Sequence, residues 1–241
     1  MADIDTLRHE LIGEFWLPVI KEAGTYFYKR RKNKQMKLFT LSNGVVFNEL
    51  IRLEVENLIQ RGDAILWVSN MIKAVRAETE SRGAVLSGSI CDEAILGATC
   101  QLNPFFPCDI LNLDFPSQDS SFTGSRVERE LEKTEQLMSL QNQKHCTGFV
   151  LLLTTVINNE VIDGSIVKNN SDGIHENGWG GLALGAYPQP VTDNNQKLDF
   201  IKHILQLLSL KYKYRVLKID HAVKIIDNNQ RLVSIAGTFV R

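Results

Sequence analysis

The sequence lacks an apolar run of the roughly 18 residues that a membrane-spanning helix needs. Its N-terminus, MADIDTLRHE, also lacks the basic-then-apolar order of a signal peptide. The four cysteines include no CxxC pair and have no histidine at metal-ligand spacing. We therefore expect a cytoplasmic protein with reduced thiols, with no membrane association and no metal site.

The sequence also lacks an excess of either charge, since its formal net charge is -1. This balance gives the whole chain no electrostatic attraction to nucleic acid or to an anionic membrane. Neither GxGxxG nor GxxxxGK[ST] occurs, so the usual dinucleotide and P-loop motifs are absent. What is present is 44% hydrophobic residues in a chain of 241, enough for one large core or two small ones.

From residue 36 onward, apolar patterns typical of strands alternate with patterns typical of helices. The strand patterns cover residues 36–43, 63–70, 84–90, 109–115 and 148–157. The helical patterns cover residues 3–22, 47–59, 71–81, 126–143 and 196–211. Two further strand patterns end the sequence, separated by the hairpin signal Asp-Asn-Asn-Gln at 227–230.

This alternation predicts an α/β fold, a doubly wound and mostly parallel sheet of about seven strands. The most apolar strand, GFVLLLTTVI at 148–157, should lie at the centre of the sheet, and the last two strands should form an antiparallel hairpin. Residues 1–35 are interpreted as an N-terminal helix and basic connector, and residues 36–241 as one domain. The helix after the first strand is expected to bury one face, made of Phe47, Leu50, Ile51, Val55, Leu58 and Ile59.

The stretch DILNLDFPSQ at 109–118 has two polar residues, Asn112 and Asp114, inside a strand pattern. They lie at the carboxyl end of the fourth strand, and a doubly wound sheet binds its ligand at that edge. A binding role is therefore favoured for both. The alternative is that they cap the next segment or bond to the backbone, as such residues often do in turns.

The order of elements and two motifs resemble class I (Rossmann-like) S-adenosylmethionine-dependent methyltransferases over residues 36 to 241. NLDFPS at 112–117 resembles the family's motif after the fourth strand, and SGSICDEAIL at 87–96 resembles its segment after the third. The resemblance implies S-adenosylmethionine as cofactor. It also implies a set of cofactor-binding residues at the ends of the first three strands, namely Ser42, Asn43, Gly44, Asn70 and Asp92.

The same resemblance places the residues after the fourth strand beside the transferred methyl group. Asn112 or Asp114 would accept a hydrogen bond from the methyl acceptor, Phe115 would pack against a flat substrate, and Pro116 would fix the turn. The chain departs from the family pattern in two places. Its first loop has the single glycine Gly44, and Asn70 stands where the family has an acidic residue.

These departures favour an alternative, a catalytically inactive methyltransferase-like scaffold that binds nucleic acid or protein. Individual residues also have simpler interpretations, since 42–44 is an ordinary turn sequence and Asp92 is a good N-cap residue. The sequence leaves the methyl acceptor and the oligomeric state open.

A basic stretch follows three aromatic residues near the N-terminus. Six of the nine residues from Lys29 to Lys37 are basic, and Tyr26, Phe27 and Tyr28 precede them. Stacking rings beside phosphate-binding charges are typical of single-strand nucleic-acid binding, with Arg30, Arg31 and Lys32 as the candidate contacts. The alternative is a solvated connector, which charge runs commonly form.

Overall fold

The computed structural model describes residues 3–28, 35–42, 46–68, 84–87, 103–115, 126–162 and 190–241. Within these residues, seven strands form one sheet. The strands are β1 (Leu38–Ser42), β2 (Ala64–Val68), β3 (Ala84–Ser87), β4 (Ile110–Asp114), β5 (Gly148–Ile157), β6 (Arg215–Ile225) and β7 (Arg231–Val240). The α-helices of the described residues are α1 (Ile4–Leu11), α2 (Leu17–Tyr28), α3 (Val46–Val55), α4 (Arg126–Gln143) and α5 (Asn194–Lys211).

The strand order is β3-β2-β1-β4-β5-β7-β6. β1 to β5 are parallel to one another, whereas β7 is antiparallel to both β5 and β6. β5 lies between β4 and β7, and all ten of its residues are buried. The predicted doubly wound sheet, its central strand and its C-terminal antiparallel hairpin are therefore confirmed.

Helices cover both faces of the sheet, and each face has its own hydrophobic core. Alternate strand residues such as Phe39 and Leu111 pack with α4 and α5 in one core. The residues between them, such as Leu38 and Ile110, pack with α1, α2 and α3 in the other. This alternation follows from the two-residue period of a strand, which turns successive side chains to opposite faces.

The N-terminal helices belong to the second of these cores. α1 and α2 are joined by one π-helical turn, Ile12–Trp16, and the helix predicted over residues 3–22 continues to Tyr28. Leu11, Ile20 and Ala23 are almost fully buried against the sheet. The predicted division of the chain at residue 36 stays a prediction, but these helices supply part of the sheet's own core.

The predicted buried face of α3 is wrong in part. Leu50 is buried as expected, but Ile51 is 44% exposed and Val55 is 72% exposed. The residues that turn inward instead are Glu49 and Leu53. The helix ends at Val55, before the end of the predicted pattern over 47–59, so Leu58 and Ile59 are buried from the turn that follows it and not from a helical face. The predicted helix over 71–81 lies outside the described residues.

Candidate functional site

β2 and β3 lie on one side of β1, whereas β4 and β5 lie on its other side. The order in which strands are added to the sheet therefore switches sides between β1 and β4. Such a switch point leaves a crevice at the carboxyl edge of a doubly wound sheet, which is where ligands bind. Near this edge, Thr40 of β1 lies directly opposite Asn112 of β4. Both side chains are buried on the face that α1, α2 and α3 cover.

Asn112 is hydrogen-bonded to a buried carboxylate. Its Nδ2 donates to the two carboxyl oxygens of Glu49 at 2.8 and 2.9 Å, and to Thr40 Oγ1 at 3.1 Å. Glu49 is brought there by the first turn of α3, which follows β1 directly. The other amide atom, Asn112 Oδ1, is buried and has no hydrogen-bond partner among the described residues.

Glu49 is an acid whose pKa is strongly shifted by its buried position. Burial, and to a lesser extent the nearby charge of Asp114, raise its pKa to about 8. The hydrogen bonds from Asn112 and Thr40 act in the opposite direction but are outweighed. A carboxyl with a pKa near neutrality can exchange a proton at physiological pH, which is the property that general acids and bases need.

Asp114 is paired with an arginine from the N-terminal helix. Arg8 Nε lies 2.8 Å from Asp114 Oδ2 and 3.1 Å from Oδ1, and both side chains are largely buried. Burial raises the pKa of Asp114 to about 6, although the charge of Arg8 and its hydrogen bond lower it. Arg8 Nη1 also lies 3.4 Å from Asp5 Oδ1. The guanidinium therefore has a second carboxylate partner, which belongs to α1 itself.

The polar face continues across the next two strands. Asp114 lies opposite Thr154 of β5, which in turn lies opposite Ser234 of β7. Thr154 Oγ1 donates to Ser234 Oγ at 3.1 Å, and Trp16 Nε1 donates to the same oxygen at 2.7 Å. Polar side chains beneath α1 and the π-helical turn therefore fix the N-terminal helices to this half of the sheet.

Phe115 and the end of β4 are held from the opposite face by α4. Phe115 is buried in the core with α4 and α5. Arg126 Nη2 donates to the Phe115 carbonyl at 3.2 Å, while its Nε pairs with Glu130 at 2.6 Å. Burial raises the pKa of Glu130, against the effect of Arg126. The strand end that carries the candidate residues is thus anchored on both sides.

The structure brings together only some of the predicted site residues. Asn112, Asp114 and Phe115 lie at the end of β4, and Ser42 ends the neighbouring strand β1. Within the described residues, the side chains of Asn112 and Asp114 bond to other side chains rather than capping a helix or bonding to the backbone. The remaining candidates lie outside the described residues: Asn43, Gly44, Asn70, Asp92, Pro116, Arg30, Arg31 and Lys32.

Two residues of this edge, Glu49 and Arg8, were missed by sequence reasoning. A signal for Arg8 exists, because it lies on the apolar stripe of the N-terminal helix, four residues after Ile4 and three before Leu11. The signal for Glu49 is weaker, since the helix was expected to bury a different face. A charged residue on a buried stripe calls for a partner, and here each has one.

Neither a metal site nor a membrane-spanning helix is found in the part of the chain that the structure describes. No group of three or more metal-ligating side chains comes together there. Nor does any of the helices described above have the length and hydropathy to span a membrane.

Comparison with known proteins gives matches in structure only. No protein-family model and no curated protein sequence matches the chain. Among solved structures it is similar to TYW2 of M. jannaschii in complex with AdoMet, at 10% identity and a TM-score of 0.46, covering 91% of this chain and 77% of that one.

Two further solved structures are similar to the chain. One is the O-methyltransferase from Bacillus cereus in complex with SAH, at 12% identity and a TM-score of 0.42, covering 86% of this chain and 74% of that one. The other is magnesium protoporphyrin IX methyltransferase from Synechocystis PCC 6803 with bound SAH. It has 9% identity and a TM-score of 0.39, and covers 81% of that chain and 91% of this one.

Proposed function

We propose that the protein binds S-adenosylmethionine at the carboxyl edge of β1 and β4 and transfers its methyl group to an acceptor. The observation that carries the proposal is the switch point between these two strands, with Thr40, Asn112 and Glu49 gathered beside it. A doubly wound sheet binds ligands at such a point. The motif NLDFPS, whose first three residues end β4, resembles the methyltransferase motif beside the transferred methyl.

The described residues fit the cofactor in one respect. Its amino and hydroxyl groups donate hydrogen bonds, and this edge is rich in acceptors, including the carboxyl of Glu49 and the unpartnered Asn112 Oδ1. When bound, the cofactor would supply an electrophilic methyl group on a sulfonium. The loop residues Ser42, Asn43, Gly44, Asn70 and Asp92 would hold the cofactor itself.

The chain's own contribution to methyl transfer would be positioning and proton handling. In-line displacement requires the acceptor to be held against the methyl group, and Pro116 is assigned to that task, since Phe115 is buried in the core on the opposite face of the sheet. Asp114 is assigned to accept a proton from the acceptor, and its pKa of about 6 leaves it ionised at neutral pH. Arg8 competes for the same carboxylate, so the acceptor must share it with α1.

We propose nucleic acid as the acceptor class, on the strength of the basic stretch at Lys29 to Lys37. Replacing Arg30, Arg31 and Lys32 by alanine should weaken binding of a single-stranded oligonucleotide. The log-log salt slope should flatten by about 0.7 for each phosphate that the protein no longer neutralises. A parent protein that binds no oligonucleotide, or a variant with an unchanged slope, leaves the stretch as a connector.

Thermal unfolding with and without ligand tests cofactor binding. S-adenosylmethionine or its demethylated product, at a hundredfold excess over the dissociation constant, should stabilise the fold by about 2.7 kcal/mol. The melting temperature should then rise by several degrees in a chain of this size. Asp92→Ala should reduce the rise, whereas ATP, which shares the adenosine but has no sulfonium, is the control ligand. An unmoved melting curve at millimolar S-adenosylmethionine contradicts the proposal.

The second candidate function is an inactive scaffold of the same fold that binds nucleic acid or protein. One observation favours it, namely that the polar side chains at the end of β4 are bonded to other residues of the chain. The same melting experiment distinguishes the two candidates, because a scaffold without a cofactor site gives no shift with either ligand.

A further inference from the structure

Three helices of the described chain end in the same backbone geometry, a Schellman motif. In each, a residue two places beyond the helix has a left-handed backbone: Asn57 after α3, His145 after α4 and Lys213 after α5, with φ of 55°, 55° and 60°. The next residue's N–H then reaches back to the helix, as Leu58 to Leu53, Cys146 to Gln141 and Tyr214 to Ser209. These bonds are the ones that define the motif.

Of the residues at these three positions, Lys213 is the one that a left-handed backbone disfavours. The left-handed position strongly prefers glycine and tolerates asparagine, which is what α3 has at Asn57. Lysine carries a Cβ and a long side chain with no such tolerance, and glycine in its place would relieve the strain. A strained backbone position is a candidate for function when its side chain shares a site with others.

His145 and Lys213 do share a site. Both line an open groove of about 600 Å³ at the amino edge of the sheet, on the side opposite the β1–β4 crevice. The other lining residues are Asn142, Gln143, Lys211 and Arg241. The segments 142–148, 211–215 and 240–241 carry five lysines and arginines and no aspartate or glutamate, although the whole chain is slightly acidic.

Two of these cations are held in place by the protein. The Arg241 guanidinium donates to Asn142 Oδ1 and lies 5.1 Å from the centre of the Tyr214 ring. Lys211 Nζ lies 2.5 Å from Glu135 Oε1. Lys213 and His145, by contrast, are exposed at the rim of the groove. The groove therefore combines oriented donors with donors that face solvent.

We propose that this groove is an oxyanion site that binds a phosphate group, with Lys213, His145 and Arg241 as its donors. Arginine and lysine are the usual binders of phosphate, the former by its planar fork and the latter as a point charge. The phosphate comes either from a small free anion or from a nucleic-acid backbone. This site does not depend on the proposed function, because it lies at the other edge of the sheet.

The test compares Lys213→Asn with His145→Asn, since asparagine tolerates the left-handed backbone and removes the donor. Binding of a fluorescein-labelled ten-nucleotide single strand is measured by anisotropy, and pyrophosphate is titrated in the same buffer by calorimetry. Each substitution should weaken binding roughly fivefold, and Lys213→Asn should flatten the oligonucleotide salt slope by about 0.7. If the substitutions weaken binding of both pyrophosphate and the oligonucleotide, the groove binds a free phosphate. If they weaken binding of the oligonucleotide alone, the groove binds the phosphates of a nucleic-acid backbone.

A stability measurement on glycine variants separates a ligand role from a structural one. Lys213→Gly and His145→Gly should each raise the melting temperature by about 2 °C while weakening phosphate binding. Asn57→Gly is the matched control, because it changes the same backbone position outside the groove and should leave binding unchanged. A parent protein that binds neither probe, or asparagine variants that bind as well as the parent, overturns the site. A melting temperature lowered by Lys213→Gly also overturns it, because lysine would then be serving the helix end.

Discussion

Arg8 Nε and Asp114 Oδ2 lie 2.8 Å apart although 106 residues separate them in sequence. The pair joins the first helix of the chain to the carboxyl end of β4, the strand end that carries the candidate acceptor site. The two side chains are only 8% and 14% exposed, so little water screens the interaction. The N-terminal helix is therefore part of the site's electrostatics.

Removing one partner of this pair should destabilise the protein strongly. Arg8→Met leaves the Asp114 carboxylate buried without its cation, which we expect to lower the free energy of unfolding by about 3–5 kcal/mol. Urea unfolding at pH 7 measures the change. Adding Asp114→Leu to Arg8→Met should recover a large part of the loss, since an apolar pair replaces the ions.

The control for this pair is Asp5, which also contacts Arg8 but is 54% exposed. Asp5→Ala should cost less than about 1 kcal/mol, as surface pairs do. If Arg8→Met and Asp5→Ala lower the free energy of unfolding equally, the buried pair does not hold α1 to β4.

The buried Glu49 should make stability depend on pH near neutrality. Its pKa is about 8 in the folded protein and about 4.3 in an unfolded chain, so the folded state binds more protons between these values. Stability from this group is therefore fully present below about pH 4 and is lost as pH rises through 8. The urea concentration at the unfolding midpoint should therefore decrease as the pH is raised from 6 to 8.5.

Glu49→Gln keeps the shape of the side chain but cannot ionise, so its urea midpoint should vary less over that pH range than the parent's. The variant should also be the more stable protein at pH 8.5. Glu132→Gln, on an exposed position of α4, serves as control and should follow the parent. Parallel curves for Glu49→Gln and the parent would show that the buried carboxyl is not what titrates.

Ser234 should be needed to keep Trp16 in place. Ser234→Ala removes the acceptor of the 2.7 Å bond from Trp16 Nε1 and leaves a buried donor unsatisfied. The expected loss is about 1–3 kcal/mol, seen in the melting temperature. Trp16→Phe together with Ser234→Ala removes both partners, so the second substitution should cost much less in that background than alone. Additive losses in the double variant contradict a direct bond.

The elements with the strongest sequence patterns were predicted correctly. The ten residues of β5 are continuously apolar, and both their extent and their central position are as predicted. The stripe of Val127, Leu131, Thr134 and Met138 in α4 is buried as the spacing indicates. Such elements are specified locally, because burial on one or both faces leaves its period in the sequence.

The partners of the polar residues could not be predicted in the same way. Asn112 and Asp114 alternate with Leu113, which places both on one face, but nothing local says that Glu49 and Arg8 complete that face. In α3, Ile51 and Val55 follow a helical spacing as well as Leu50 and Leu53 do, so the pattern alone does not choose between the two faces. The face of α3 that is buried is the one that packs against the sheet, and a local pattern does not identify it.

The hydrogen bond from Trp16 to Ser234 spans 218 residues and has a consequence for folding during synthesis. The ribosome releases α1 and α2 early, but the strand that carries Ser234 is made near the end of this sequence. Until then the apolar side of these helices has only part of its partner surface, which exposes a growing chain to aggregation. These helices, made early, are thus among the last elements of the described chain that can take their final place.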